Sequence, residues 1–348
     1  MIVIGVDAHK ASHTLVAVDR RGRKLGEKTV AATSEGHAKA LRWVNATFDD
    51  GDLTWGVEDV RTVTVRLERD LMDTGAVVVR VPTYVMARLR GSPRVVGKSD
   101  PIDALAVARA VLQEPDLPRA RHHPESLACK LMVDRREALL HQRSATMTRL
   151  QWRVHQLDPK RDVGQGMLQW RIHRDDLRQW LGTQNGLLAE FSRDELEEID
   201  ELSQKIYDLL RRITSHVDRI APSLLALTGC GPLMAAKIVG ETADVTRFPN
   251  ESAFARFGGV GPIPMWSGSS EGRMRNSKTG NRQINAALHR IALTQIMKGG
   301  PGADYYHKRI DNGDTPAMAR RCLKRHLART VYRRLLKDRM PTTTSDSS

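Results

Sequence analysis

The chain has 348 residues, 40% hydrophobic and 5% aromatic, with 55 Lys and Arg against 41 Asp and Glu, a formal charge of +14. That length is more than one core usually organises, so two or three domains with aliphatic cores are expected. No apolar stretch approaches the roughly 20 residues of a membrane span, and the first apolar run is broken by Asp7, too early for a signal-peptide core.

In chain order, residues 2–9, 13–19 and 23–32 read as strands separated by short polar turns. Residues 34–47 read as a helix with Ser34 as its cap, 53–57 as a strand, 63–74 as a helix and 76–81 as a strand stopped by Pro82. Three strands followed by helix–strand–helix–strand–helix imply an α/β layer with a mixed sheet over residues 1–114. This is not the strict alternation of a doubly wound nucleotide-binding fold, and no Gly-rich phosphate fingerprint follows the first strand; the element order is that of a ribonuclease-H-like domain.

Residues 115–221 read as mainly helical. A run from 125 to 156 is free of Gly and Pro, and residues 159–166 break it. Leu196, Ile199, Leu202, Ile206, Leu209, Ile213, Val217 and Ile220 then recur at steps of three or four. Such a stripe suits a long helix packed on its own domain or a coiled-coil pairing equally well. Trp152, Trp170, Trp180, Arg171, His173 and Arg174 between these helices are expected to pack rather than to contact a ligand.

A basic domain spans residues 222–340, and 341–348 form a polar tail expected to be disordered. Residues 222–348 hold 20 Lys and Arg against nine Asp and Glu, a net +11 of the total +14. Charge so concentrated is the footprint of phosphate-backbone binding. Cys129, Cys230 and Cys322 fit neither a disulfide framework nor a zinc site, so a reducing cytoplasm is expected.

Four carboxylates carry most of the chemistry. Asp7 ends one apolar run and Glu58 lies near the end of another, while Asp100 and Asp103 stand three apart at a helix start. Asp100 as a cap and Asp103 favouring the helix's positive end would account for the last two without any function. The same spacing puts both on one helix face, and the other two fall at carboxyl ends of strands in the same layer. Hard divalent cations want such oxygen ligands, and a phosphoryl-transfer site with two ions needs about four carboxylates to share. Asp59 can exchange roles with Glu58, because successive strand residues face opposite sides.

In the basic domain, residues 227–238 have the form of a helix-hairpin-helix. Gly229 and Gly231 would let backbone N–H groups approach a phosphate at a helix start, with Lys237 nearby. The segment 266–282 interleaves Gly and Ser with Arg273, Arg275, Lys278 and Arg282, a composition suited to phosphates. A serine hydroxyl there can donate to a phosphate or, deprotonated and aligned, attack it. Residue chemistry does not separate Ser267 from Ser269 or Ser270.

The chain resembles the insertion-sequence transposases that join an N-terminal RuvC-like DEDD domain to a C-terminal serine domain, the bridge-RNA-guided recombinases. The resemblance runs through Gly5-Val6-Asp7-Ala8-His9-Lys10, Glu58 and Gly97-Lys98-Ser99-Asp100-Pro101-Ile102-Asp103-Ala104. It resumes over residues 227–237 and 254–261, Ser267-Gly268-Ser269-Ser270, and Ser277-Lys278-Thr279-Gly280-Asn281. It implies that Asp7, Glu58, Asp100 and Asp103 are catalytic metal ligands for Mg²⁺ and that Ser267 is the nucleophile. It further implies DNA as substrate, a structured guide RNA as partner, and a homo-oligomer, dimer or tetramer. Asp59-Val60-Arg61-Thr62-Val63 departs from the family's usual Ala-Thr-Gly-aromatic after the glutamate, which bears on the helix cap and substrate contacts there. Two other readings remain open: a junction-resolving nuclease in which metal-activated water attacks, and a nucleic-acid-binding protein without enzymatic activity.

Overall fold

The computed structural model describes residues 1–48, 52–58, 61–82, 85–86, 100–114, 117, 119–121, 123–164, 166–264, 274–276 and 280–339, without the side chains of 61–62, 263–264 and 274–276. The chain divides into two compact units, residues 1–122 with 246–249, and residues 123–245 with 250–348.

The first unit runs β1 (Ile2–Ala8), β2 (Ser12–Val18), β3 (Lys24–Ala31), α1 (Ser34–Thr47), β4 (Leu53–Glu58), α2 (Arg61–Met72), β5 (Val77–Val81) and α3 (Asp100–Gln113). Its sheet has the order β3-β2-β1-β4-β5. The β1–β2 and β2–β3 pairs are antiparallel, and β1–β4 and β4–β5 are parallel. This is the mixed sheet expected of the element order. One local expectation is corrected: Thr33, not Ser34, caps α1, because extended Thr33 accepts the Gly36 N–H at 3.1 Å. Ser34 lies inside the helix, where its hydroxyl accepts from Arg66 at 3.1 Å.

The pleat sorts the sheet into two faces. Ile4, Val6, Leu15, Ala17, Trp55 and Val57 pack with Ala40 and Val44 of α1 and Leu67 and Leu71 of α2. Val3, Val16 and Val18 turn the other way, onto Ala104 and Ala108 of α3. Gly5 and Gly56, paired across β1 and β4, form the floor beneath α3. A Cβ on Gly5 would meet the Ala104 carbonyl oxygen at 2.1 Å, and one on Gly56 would meet Val111 at 2.6 Å. Only glycine permits a helix backbone to lie so close to a strand.

The second unit is mostly helical: α4 (Pro124–Leu157), α5 (Arg171–Gly182), α6 (Leu187–Ile220), α7 (Pro222–Leu225), α8 (Pro232–Thr242), α9 (Glu251–Phe257), α10 (Arg282–Lys298), α11 (Pro301–Asp311) and α12 (Pro316–Lys337). A two-stranded antiparallel ribbon, β6 (Pro262–Pro264) with β7 (Met274–Asn276), joins α9 to α10. The helices α4 and α6 are antiparallel. Glu125 near the start of α4 takes Arg219 near the end of α6 at 2.9 Å, while Arg149 takes Glu195 at 3.1 Å. The stripe is met by α4 of the same chain: Leu196 and Ile199 pack with Met147, Leu150 and Val154, and Leu202, Ile206 and Leu209 with Leu139.

Between these helices Arg174 and Trp180 pack as expected. Arg174 is buried, donating to Asp200 at 2.6 Å and to the carbonyls of Leu168 and Gln169, and Trp180 packs against the α4–α6 core. Trp152 and Trp170 do not follow; they are 65% and 68% exposed. Arg171 is exposed too. No helix among the described residues is long and apolar enough to cross a membrane.

Candidate metal centre

The acidic site is built by the geometry of the sheet floor. Val3, Gly5 and Asp7 share the α3 face of β1, and Asp7 is the last of them before the strand ends. On β4, Trp55 and Val57 face α1 and α2 while Gly56 faces α3, so Glu58, two residues on, shares the α3 face. The parallel register ends at Val6↔Val57, which sets Asp7 and Glu58 at the same carboxyl-terminal edge. Glu58 is therefore an acid on this face; Asp59 is outside the described residues. The α3 helix runs over the two glycines with Asp100 and Asp103 in its first turn, delivering both to that edge.

The contacts follow from this placement. His9 Nε2 lies 3.0 Å from Asp7 Oδ2 and 3.5 Å from Asp100 Oδ1, so a single imidazole nitrogen bridges the strand end and the helix start. The ligand atoms of Asp7, His9 and Asp100 all lie within 4.8 Å of one another. Asp7 is buried and Asp100 half exposed, so the site opens outward from Asp7. Burial pushes the Asp7 carboxyl above its usual range; His9 opposes the shift, while the charges of Asp103 and Asp100 add to it. Asp103 is thus part of the same electrostatic cluster.

This donor set fits a divalent cation. Crowded carboxylate oxygens around a buried acid repel one another, and a cation relieves that repulsion. Oxygen donors suit Mg²⁺, Ca²⁺ or Mn²⁺, and the imidazole admits transition metals as well. His9 was not singled out from sequence as a site residue. A signal for it was available: Asp7-Ala8-His9 continues the strand's period of two, which keeps positions 7 and 9 on one face.

The other expected site residues lie in the second unit. Gly229 has φ +86°, and a Cβ there would meet the Ile291 carbonyl oxygen at 2.9 Å, so this glycine seats the α7–α8 turn on α10. Gly231 precedes α8, and a Cβ there would meet nothing within 4 Å. Lys237 is held by Glu137 and donates to Gln283 at 2.9 Å, with its side chain mostly buried. Arg282 is exposed at the start of α10. Backbone pairing joins Arg275 to Ile263 across the ribbon. Ser267, Ser269, Ser270, Arg273 and Lys278 lie outside the described residues.

A mixed α/β sheet with a strand-end acid, a bridging histidine and two acids from the first turn of an overlying helix presents an oxygen-rich site of the kind that holds a divalent cation. Residues 4–159 match the DEDD transposase family of IS110, and residues 221–307 match the family described as Transposase IS116/IS110/IS902. The chain belongs to the IS110/IS116 family of transposases. It is 24% identical to the insertion element IS116 uncharacterized 44.8 kDa protein of Streptomyces clavuligerus, over 90% of this chain and 89% of that one. It is 20% identical to the insertion element IS900 uncharacterized 42 kDa protein of Mycobacterium paratuberculosis, over 94% of each. Among solved structures, Thermus thermophilus RuvC is similar at 18% identity, with a TM-score of 0.25, over 32% of this chain and 92% of that one.

Proposed function

We propose that this transposase cuts and rejoins DNA at the ends of its own mobile element and at a target, with Asp7, Glu58, Asp100 and Asp103 holding Mg²⁺ and Ser267 as the nucleophile. The observation that carries the acid site is the meeting of Asp7 and Asp100 across one His9 nitrogen, with Asp103 electrostatically coupled to Asp7. When bound, the cation would supply charge stabilisation at the scissile phosphate. The Ser267 hydroxyl gives up its proton as its oxygen forms a bond to phosphorus, the bond from phosphorus to one sugar oxygen breaks, and that oxygen takes up a proton. The phosphoserine so formed conserves the bond energy, and attack by a second strand's hydroxyl reseals the DNA and releases the serine.

In this reading residues 1–114 form the acid domain, 115–221 the helical connection and 222–340 the DNA-handling domain. The turn at Gly229 and Gly231 acts as a helix-hairpin-helix toward phosphate, and Arg273, Arg275, Lys278 and Arg282 flank the nucleophile. The support is the open approach at Gly231, the exposure of Arg282 and the basic excess of this region. A structured guide RNA specifies the DNA by pairing, and the active form is a homo-oligomer. Both rest on the family resemblance of the motifs.

The test is a trapped complex: incubation with element-end DNA and Mg²⁺, denaturation, and peptide mapping of any covalent adduct. An adduct at Ser267 that is lost in Ser267→Ala is expected. Attachment at Ser269 or Ser270 moves the nucleophile, and metal-dependent cutting with no adduct at all means that water attacks.

A further inference from the structure

The cations of the second unit are not equally partnered. On α12, Arg329 and Arg333 share Glu251 at 3.3 and 3.1 Å, and on α11 Arg309 takes Asp314 at 2.5 Å. The stretch of α12 before them differs. Burial, followed by the charges of Arg320 and Arg321, pushes the Lys324 ammonium below its usual range. On α10, burial, Lys324, Arg320 and Arg290 together push the His289 imidazole down. Among the described residues, the charges that push these two groups down are cations, drawn from two helices that pack on each other.

The cluster is also held in place. Asn285 donates its amide Nδ2 to the carbonyls of Gly258 and Gly259, both at 3.1 Å. Those two acceptors fix the amide orientation, so Oδ1 must face the other way, and Lys324 donates to it at 2.5 Å. A neutral amide orients the ammonium without cancelling its charge. Arg290, Arg321 and Arg325 on the same two helices are exposed, so the positive charge faces solvent. Like charges crowded and tethered without a carboxylate cost stability, which an incoming polyanion offsets.

We propose that the α10–α12 face bearing Arg290, Arg320, Arg321 and Lys324 docks the phosphate backbone of duplex DNA. This face is distinct in sequence from the Arg273–Arg282 segment, and the inference rests on the reading of the protein as a DNA-cutting transposase. The contact is to backbone, so it positions DNA without reading its sequence.

The experiment measures duplex affinity of the full chain against salt, in EDTA so that nothing is cut. It compares the unmodified protein with Arg290→Gln/Arg320→Gln/Arg321→Gln and with the corresponding triple Lys variant. Each lost phosphate contact removes about 0.9 from the log–log salt slope, so the Gln variant should flatten it by up to about 2.7 and the Lys variant should retain it. An unchanged slope in a Gln variant whose circular dichroism matches the parent overturns the proposal. So does loss of binding to an RNA hairpin with duplex binding intact. Metal-dependent cutting by the unmodified protein is read separately: a flattened slope without any cutting leaves this surface standing and removes the acid-site reading, and cutting with an unchanged slope does the reverse.

Discussion

Gly5 and Ala104 approach so closely that a Cβ on the glycine would lie 2.1 Å from the alanine's carbonyl oxygen. The consequence reaches the acids, because the helix that Gly5 admits begins only four residues earlier, at Asp100. Gly5→Ala must therefore lift α3 and carry Asp100 and Asp103 away from Asp7. Overpacking of this kind costs about 1–3 kcal/mol, so a lower melting temperature is expected. Metal-dependent DNA cutting should fall further than stability does, by at least about tenfold, because a misplacement near 1 Å already costs that much or more. Melting curves and cutting rates on the same preparation check both halves.

Asp7→Asn tests the site from the other direction. The Asp7 carboxyl is pushed above its usual range by burial, with His9 opposing and Asp103 and Asp100 reinforcing. A neutral amide of the same shape removes both the buried charge and the repulsion. The expected result is an unchanged or raised melting temperature together with loss of cutting, the trade-off typical of acids retained for function. Asp100→Asn, Asp103→Asn and Glu58→Gln should also abolish cutting while leaving duplex binding in EDTA intact. Cutting at the parental rate in any of these variants removes that residue from the site.

The opposite face of the sheet carries an acid-sensitive element. His13 is 1% exposed and stacks on His37 at 5.1 Å, and His37 Nδ1 lies 2.5 Å from Asp70 Oδ2. Burial, and then the nearby His37, lower His13 from 6.5 to about 4. Between those values the unfolded chain binds a proton that the native chain refuses. Stability contributed by neutral His13 is therefore full above the unfolded value and lost as pH falls toward the folded one, in total on the order of 3 kcal/mol. Urea midpoints should drop between pH 7 and pH 4.5, and His13→Phe should flatten that drop. An equal drop in the variant assigns acid sensitivity elsewhere.

Lys237 separates a structural role from a ligand-binding one. Its ammonium is held by Glu137 and Gln283 and is mostly buried. Lys237→Met leaves the part-buried Glu137 carboxylate without its cation, with Gln283 still donating to it at 3.1 Å, at a cost of about 1–3 kcal/mol. The salt slope of DNA binding should stay at the parental value. A flattened slope with unchanged stability would return Lys237 to the nucleic-acid contacts.

Much of the acid site was legible because its parts obey local rules. Asp7 and Glu58 end apolar runs, and Asp100 and Asp103 stand three apart beside a proline that a first helical turn tolerates. The face that Glu58 takes was not legible, since the pleat has no absolute phase until a neighbour marks a face; Gly56 under α3 supplies that mark. Thr33 took the cap expected of Ser34 because either residue can accept from the first turn, and the backbone of Thr33 is the extended one. Exposed Trp152 and Trp170 were unpredictable because each aromatic finds a core only if a neighbouring helix crosses at its position.

By itself the sequence determined the element order and mixed sheet of residues 1–114, the long helices before and after the break at residues 159–166, and the strand-end and helix-start positions of the four acids, all properties written in period and local position. Tertiary structure alone decided that α6 pairs with α4 of the same chain, that His9 bridges Asp7 and Asp100, and that Lys237 is tied to Glu137 while Lys324 is tied to the neutral amide of Asn285. These are contacts between residues far apart in the chain or on separate elements. No local pattern encodes them, because they exist only once packing has chosen which faces meet.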